Sequence, residues 1–127
     1  LCKTFMAINN LKVDEFEVET TLNKSVLELK FRGSIHAANP EEFMQPFFDD
    51  IINEALSRKL SLKCDFVELE YMNSASIPPL IHLLRQLAEN EINGDFIYDS
   101  SRKVQTASFR ALDVIARKSD YTNVKGV

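Results

Sequence analysis

Two consecutive prolines, Pro78 and Pro79, fix where one helix of this chain begins and so bound the strand and turn ahead of it. Proline is tolerated in the first turn of a helix, and the residue before a proline avoids the helical region. Beyond them Leu80, Ile81, Leu83, Leu84, Leu87 and Ala88 recur at helical spacing. Upstream, Leu60, Leu62, Cys64 and Phe66 alternate with Ser61, Lys63 and Asp65, the period of a strand with one buried face. The phase then slips by one residue, so that Val67, Leu69 and Tyr71 become the apolar set against Glu68 and Glu70. An unbroken slip would turn side chains to the wrong face, and a bend or bulge is therefore expected near Phe66 and Val67. Asn73, Ser74, Ala75 and Ser76 are small or polar, as a turn and a helix cap require. Ser74 falls in the loop, just ahead of the first helical turn.

The rest of the chain supports that turn. Residues 1–14 have no clean period and read as a loose or edge segment; the chain opens on Leu1, which leaves room for an upstream segment, and Met6 is a second possible start. Phe16, Val18, Thr20 and Leu22, then Leu27, Leu29 and Phe31, alternate with polar residues, and Asn23-Lys24-Ser25 between them reads as a hairpin turn. Gly33 is expected to end the second strand. Asn39, Pro40 and Glu42 form a helix start, with Asn as N-cap, Pro at the first position and Glu at the third. Phe43, Phe47, Phe48, Ile51, Ile52, Ala55 and Leu56 make that helix's apolar stripe, and Arg58 and Lys59 suit its negative end. Asn93-Gly94 reads as the C-cap of the second helix, and Phe96, Ile97 and Tyr98 as a short strand. Ser100 or Ser101 then caps a third helix with Val104, Ala107, Ser108, Ala111, Leu112 and Ile115 on one face, before a polar tail over 119–127.

Helices between strands imply parallel pairing through right-handed crossovers, and the opening hairpin makes the sheet mixed. The expectation is an α/β domain with a mixed, mainly parallel sheet of four to five strands, ordered β-β-α-β-α-β-α. At 127 residues, 45% hydrophobic, the chain fits one domain, with a core over about 16–118. A net charge of −4 gives no electrostatic footprint for nucleic acid or an anionic membrane surface, so neither is expected as a partner. Cys2 and Cys64 make no disulfide framework. With no leader and no long apolar run, the plain expectation is a cytoplasmic chain.

Two segments carry a resemblance. CDFVELEYMNSASI, residues 64–77, is similar to the central motif of the STAS domain, the anti-sigma-factor antagonist family: a strand Asp, an apolar pair, then Asp-Ser-Ser-Gly opening a helix. Asp65 matches the strand Asp, Tyr71-Met72 the apolar pair, Asn73 the loop Asp, and Ser74 the serine that regulatory members have phosphorylated. FRGSIHAANPEEF, residues 31–43, is similar to the family's entry to its first helix. Asn73 in place of Asp, Ser76 in place of Gly and His36 in place of a frequent Asp depart from the pattern; the Asn-led form looks more like the divergent SiaC-type antagonists. The resemblance implies a STAS-like fold and a phosphoprotein of bacterial signal transduction and transcription regulation. It implies as partners an anti-sigma factor or serine kinase of the histidine-kinase-like ATPase class, a metal-dependent serine phosphatase, or a signalling output enzyme.

The residues themselves leave blander readings open. Ser74 read alone is an ordinary turn residue; a phosphate there would gain from the helix dipole, but Pro78 and Pro79 each remove a donor. Ser76 reads as a helix cap or a second acceptor, and Asn73 as a local turn former or a partner contact. Glu68 and Glu70 are an acidic pair or a solvated strand face. His36 and His82 have no Cys or second His at ligand spacing, and Ser74 and His82 stand about 12 Å apart along a helix. No nucleophile elbow, phosphate loop or dinucleotide fingerprint is present, so neither catalysis nor a cofactor is expected. The expected partner surface is Asn73, Ser74, Ala75 and Ser76 with His82, Arg85, Gln86 and Glu89 of the second helix, which lie off its apolar stripe. The alternative is a constitutive docking module in which Ser74 is purely structural.

Overall fold

The computed structural model describes residues 10–127. Its strands are β1 (Leu11–Val13), β2 (Phe16–Asn23), β3 (Val26–Ile35), β4 (Ser61–Asp65), β5 (Leu69–Met72), β6 (Gly94–Tyr98) and β7 (Thr122–Gly126). Its helices are α1 (Glu41–Arg58), α2 (Ile77–Glu89), preceded by a 3-10 turn at Ser74–Ser76, and α3 (Lys103–Ala116). The sheet runs β1-β2-β3-β4-β6-β7, with β5 also on β3. The β1-β2 and β2-β3 pairs are antiparallel and the remaining pairs parallel. The expected mixed sheet is present, but with seven strands among the described residues rather than four or five.

Two of the added strands, β1 and β7, lie in segments expected to be loose, and β5 follows the break after Phe66. β1 pairs with β2 within the 1–14 stretch, whose residues 1–9 lie outside the described residues. β7, in the supposed polar tail, pairs along β6 from Gly94↔Thr122 to Tyr98↔Gly126. Its own sequence alternates poorly because it is an edge strand, held by backbone bonds to β6 and by buried Thr122, whose hydroxyl donates to the Ala116 carbonyl at 2.7 Å.

The phase slip is a break between two strands that share one neighbour. Residues Val26–Lys30 of β3 pair with β4 and Gly33–Ile35 with β5. Between them the Asp65 carboxylate accepts the Val67 N–H at 3.0 Å and the Phe66 carbonyl accepts the Leu69 N–H at 3.0 Å, which closes a tight turn. That turn keeps Phe66 in the core, stacked on Phe31 at 4.2 Å between ring centroids and tilted against Phe96 and Phe109 at 5.2 and 4.9 Å. The apolar set after the slip is corrected: Leu69 and Met72 are buried, whereas Val67 is half-buried and Tyr71 exposed. Nor does Gly33 end its strand. β3 continues to Ile35 with a register shift at Gly33, whose φ of +85° and approach to the Glu15 carbonyl leave no room for a Cβ.

The strand residues that alternate inward, including Phe16, Val18, Leu27, Leu29, Leu62, Cys64 and Phe96, form one core with the helices. The opposite face is polar, with Arg32 bonded to Glu19 and Glu68 and Lys63 to Glu28. Those two carboxylates raise the Arg32 pKa above its ordinary value. Glu68 thus belongs to a solvated strand face.

Helix ends and faces differ in detail from the sequence reading. α1 starts after Pro40, and Asn39 donates to the Glu42 carboxylate at 2.9 Å rather than capping a backbone N–H. Its buried side chains are Met44, Phe48, Ile51, Ile52 and Ala55, with Phe43 and Phe47 half-buried and Leu56 exposed. α2 is capped by Asn90, whose side chain donates to the Gln86 carbonyl, while Gly94 is the first residue of β6, where a Cβ would meet Leu87 at 2.6 Å. α3 is rotated from expectation: Gln105, Phe109, Leu112 and Ala116 are buried, and Val104, Ala107 and Ala111 are exposed. Neither Ser100 nor Ser101 caps it; Ser101 donates to Asp99 and Ser100 to the Val127 carbonyl. The Ser101 hydroxyl and the Ser101 N–H both donate to the Asp99 carboxylate and hold it below its usual range.

Buried Gln105 explains the rotation of α3. Its amide nitrogen donates to the carbonyls of Phe66 and Leu69, and its oxygen accepts the Asp99 N–H. A polar side chain at that position satisfies the carbonyls which the break between β4 and β5 takes out of the ladder.

Candidate partner-binding site

The chain leaves β5 at the carboxyl end of the sheet, where helices begin in folds of this class. Asn73 is extended and its N–H donates to the Ile35 carbonyl at 3.2 Å, the last tie to β3. Its side chain then works in two directions. Nδ2 donates to the Ala37 carbonyl at 2.7 Å, and Oδ1 accepts the Ser76 hydroxyl at 2.9 Å. The Ser76 N–H also bonds the Asn73 carbonyl at 3.0 Å, and the Ser76 side chain is fully buried. Asn73 and Ser76 thereby pin both ends of the turn.

Ser74 projects between them. It is exposed, and its hydroxyl makes no hydrogen bond among the described residues, while Ala75 beside it is half-buried. The Ser74 carbonyl accepts the Ile77 N–H. With the Ser76 and Ile77 N–H groups so engaged and Pro78 and Pro79 lacking theirs, the turn offers few donors to an anion.

Two readings of this segment are corrected. Ser76 makes no side-chain cap to α2, since its hydroxyl is committed to Asn73. Asn73 does not close a turn on its own loop backbone; its amide reaches across 36 residues to Ala37. Spacing along the chain carries no signal for such a bond.

On α2, His82, Arg85 and Glu89 are exposed as expected. Gln86 is not free: half-buried, it donates to the Asp49 carboxylate of α1 at 3.1 Å and belongs to the helix-helix contact. A groove of about 490 Å³ separates the two helices, with Pro78, Ile81, His82 and Arg85 on one wall and Glu41 and Gln45 on the other. Close to the turn, exposed His36 and Tyr71 stack at 4.9 Å with an 18° tilt. This pair extends the exposed surface beside the turn, and the alternation of Val67, Leu69 and Tyr71, which points Tyr71 inward, gives no sign of it. A cavity of about 270 Å³ opens beside it, lined in part by Ile35, His36, Ala37 and Phe43. Among the described residues no group of three or more His, Cys, Asp or Glu is placed to hold a metal ion, and no helix is long and apolar enough to cross a membrane.

This fold, a mixed, mainly parallel sheet with helices between its strands, is the STAS-like fold of the anti-sigma-factor antagonists. Structures of SiaC resemble it over nearly the whole chain. A structure of diguanylate cyclase SiaD in complex with its activator SiaC from Pseudomonas aeruginosa matches at a TM-score of 0.66 and 14% identity, covering 94% of this chain and 99% of that one. Apo-SiaC from the same organism matches at 0.64 and 13%, covering 93% and 99%. The anti-sigma factor antagonist SpoIIAA in its unphosphorylated form matches at 0.58 and 11%, covering 87% of each chain. No family model and no curated protein matches the sequence.

Proposed function

We propose that this protein is a non-catalytic, cytoplasmic regulatory module that binds a partner protein through the Ser74 turn and the exposed flank of α2, and that phosphorylation of Ser74 releases the partner. The observation that carries the reading is the contrast between the two serines: Ser76 is buried and bonded, whereas Ser74 is exposed with its hydroxyl unengaged. A modifying enzyme reaches the second and not the first. A phosphate adds about −1.5 to −2 charges at neutral pH. Held in place by few N–H donors, that charge stays at the interface and must be desolvated or repelled there. A loss of about 3 kcal/mol is roughly a hundredfold in affinity, enough for a switch.

The partner class follows by similarity. SiaC is described as the activator of a diguanylate cyclase, which supports an output enzyme as the partner here. An anti-sigma factor or serine kinase of the histidine-kinase-like ATPase class, paired with a metal-dependent serine phosphatase, is the second reading, supported by the likeness to SpoIIAA. A pull-down from the native organism, scored for these classes, separates them. With the partner in hand, calorimetry is expected to show Ser74→Ala binding like the unmodified protein and Ser74→Asp binding weakly. Equal affinity of the Ala, Asp and phosphorylated forms would leave a constitutive docking module.

A further inference from the structure

A small cleft lies between α2 and α3, about 11 to 17 Å along the α2 axis from Ile77 and so well removed from the Ser74 turn. Its apolar lining is Leu84, Ala88 and Ile115, and Arg85 and Lys118 stand at its edge with Ser119. Both cations are exposed, and neither takes an ion pair or a side-chain hydrogen bond among the described residues. Among the described residues, no carboxylate lines the cleft. The other cavities described differ in this: Glu91 lines one, Asp14 and Glu15 another, and Glu41 the third. In a chain of net charge −4, an apolar cleft edged by cations alone is a local reversal of sign.

The volume sets the size of the occupant. At about 110 Å³ the cleft is well below the roughly 300–1,000 Å³ of small-molecule sites, and suits a single aliphatic side chain. We propose that the cleft between α2 and α3 is a second docking site, which takes one branched apolar side chain from an acidic protein segment, with Arg85 and Lys118 pairing the carboxylates that flank it. Apolar contact supplies the anchor, and the two cations select the charge of the partner and speed its encounter. Arg85 also borders the groove between α1 and α2, but Ile115, Lys118 and Ser119 do not, and the cleft is remote from Ser74, so it holds its ligand in either state of that serine and suits a tether that survives the switch.

The test is a titration of the isotope-labelled full chain with an acetylated, amidated peptide, Glu-Glu-Leu-Glu-Glu, followed by amide chemical shifts. Shifts are expected at Leu84, Ala88, Ile115 and Ser119, and are expected to vanish when the peptide's Leu is replaced by Ser. Lys118→Glu, a surface change, is expected to weaken binding at least about fivefold with an unchanged melting temperature, and Lys118→Ala by an intermediate factor. Ser74→Asp is expected to bind the peptide as the unmodified protein does, which separates this site from the switch proposed above. The proposal is overturned if no shifts appear at about 5 mM peptide, if Lys-Lys-Leu-Lys-Lys binds equally, or if Ser74→Asp abolishes binding. It is overturned also if octanoate gives the same shifts at lower concentration, which would make the cleft a site for a small amphiphile.

Discussion

Asn73 donates from Nδ2 to the Ala37 carbonyl oxygen at 2.7 Å, and this bond ties the Ser74 turn to the segment that leads from β3 into α1. It gives a physical reason for Asn here where the STAS pattern has Asp, since a carboxylate has no hydrogen to offer a carbonyl. Asn73→Asp is expected to destabilise the fold by about 1–3 kcal/mol, the cost of leaving a partly buried carbonyl facing an acceptor. Urea denaturation measures this, and an unchanged midpoint would show that the bond contributes nothing.

Gln105 is the larger case, because it serves three backbone groups from inside the core. Gln105→Leu keeps the volume, leaves the Asp99 N–H without its acceptor, and takes one donor from each carbonyl, Phe66 keeping the Leu69 N–H and Leu69 keeping Arg102. A loss of about 2–4 kcal/mol is expected. Denaturation of the variant beside Thr106→Val, on the adjacent and more exposed position, checks that the effect belongs to the buried amide.

At Gly33 the backbone leaves no alternative residue. A Cβ would stand 1.8 Å from the Glu15 carbonyl oxygen, on a φ of +85°. Gly33→Ala is expected to lower stability by more than about 2 kcal/mol, or to prevent folding, with the damage centred on the β2-β3 register. A melting temperature within a few degrees of the parent would show that β3 relaxes at this point more easily than the contact implies.

Burial pushes the Cys64 thiol well above its ordinary pKa of 9.0, and the nearby charges of Asp95 and Asp65 act in the same direction. The folded chain keeps this proton where the unfolded chain gives it up. Its contribution to stability is therefore complete below about pH 9 and falls as pH rises beyond it. Stability measured from about pH 7.5 to 10 is expected to decline more steeply for the parent than for Cys64→Ala. In a Cys2→Ser background, the Cys64 thiol is expected to react with a disulfide reagent only on unfolding; fast reaction of the native chain would place it outside the core.

What the sequence determined by itself was whatever local periodicity encodes. Alternation placed Phe16 to Phe31 in a hairpin and Leu62, Cys64 and Phe66 on one buried face, and the slip after Phe66 marked the break between β4 and β5. The tandem prolines placed the start of α2 and left Ser74 in the turn ahead of it. Only the tertiary structure decided what depends on partners far along the chain. Gln86 is withdrawn from the surface by Asp49 of α1, and α3 is rotated by a glutamine that answers carbonyls 36 and 39 residues upstream. β7 exists as a strand through β6, not through its own pattern. Ser74 and Ser76 are the same residue type two positions apart, and Asn73 distinguishes them by holding one hydroxyl in a buried bond while the other faces solvent. Spacing in a sequence records which face of an element is buried, whereas a hydrogen bond between distant segments is set by how those elements pack.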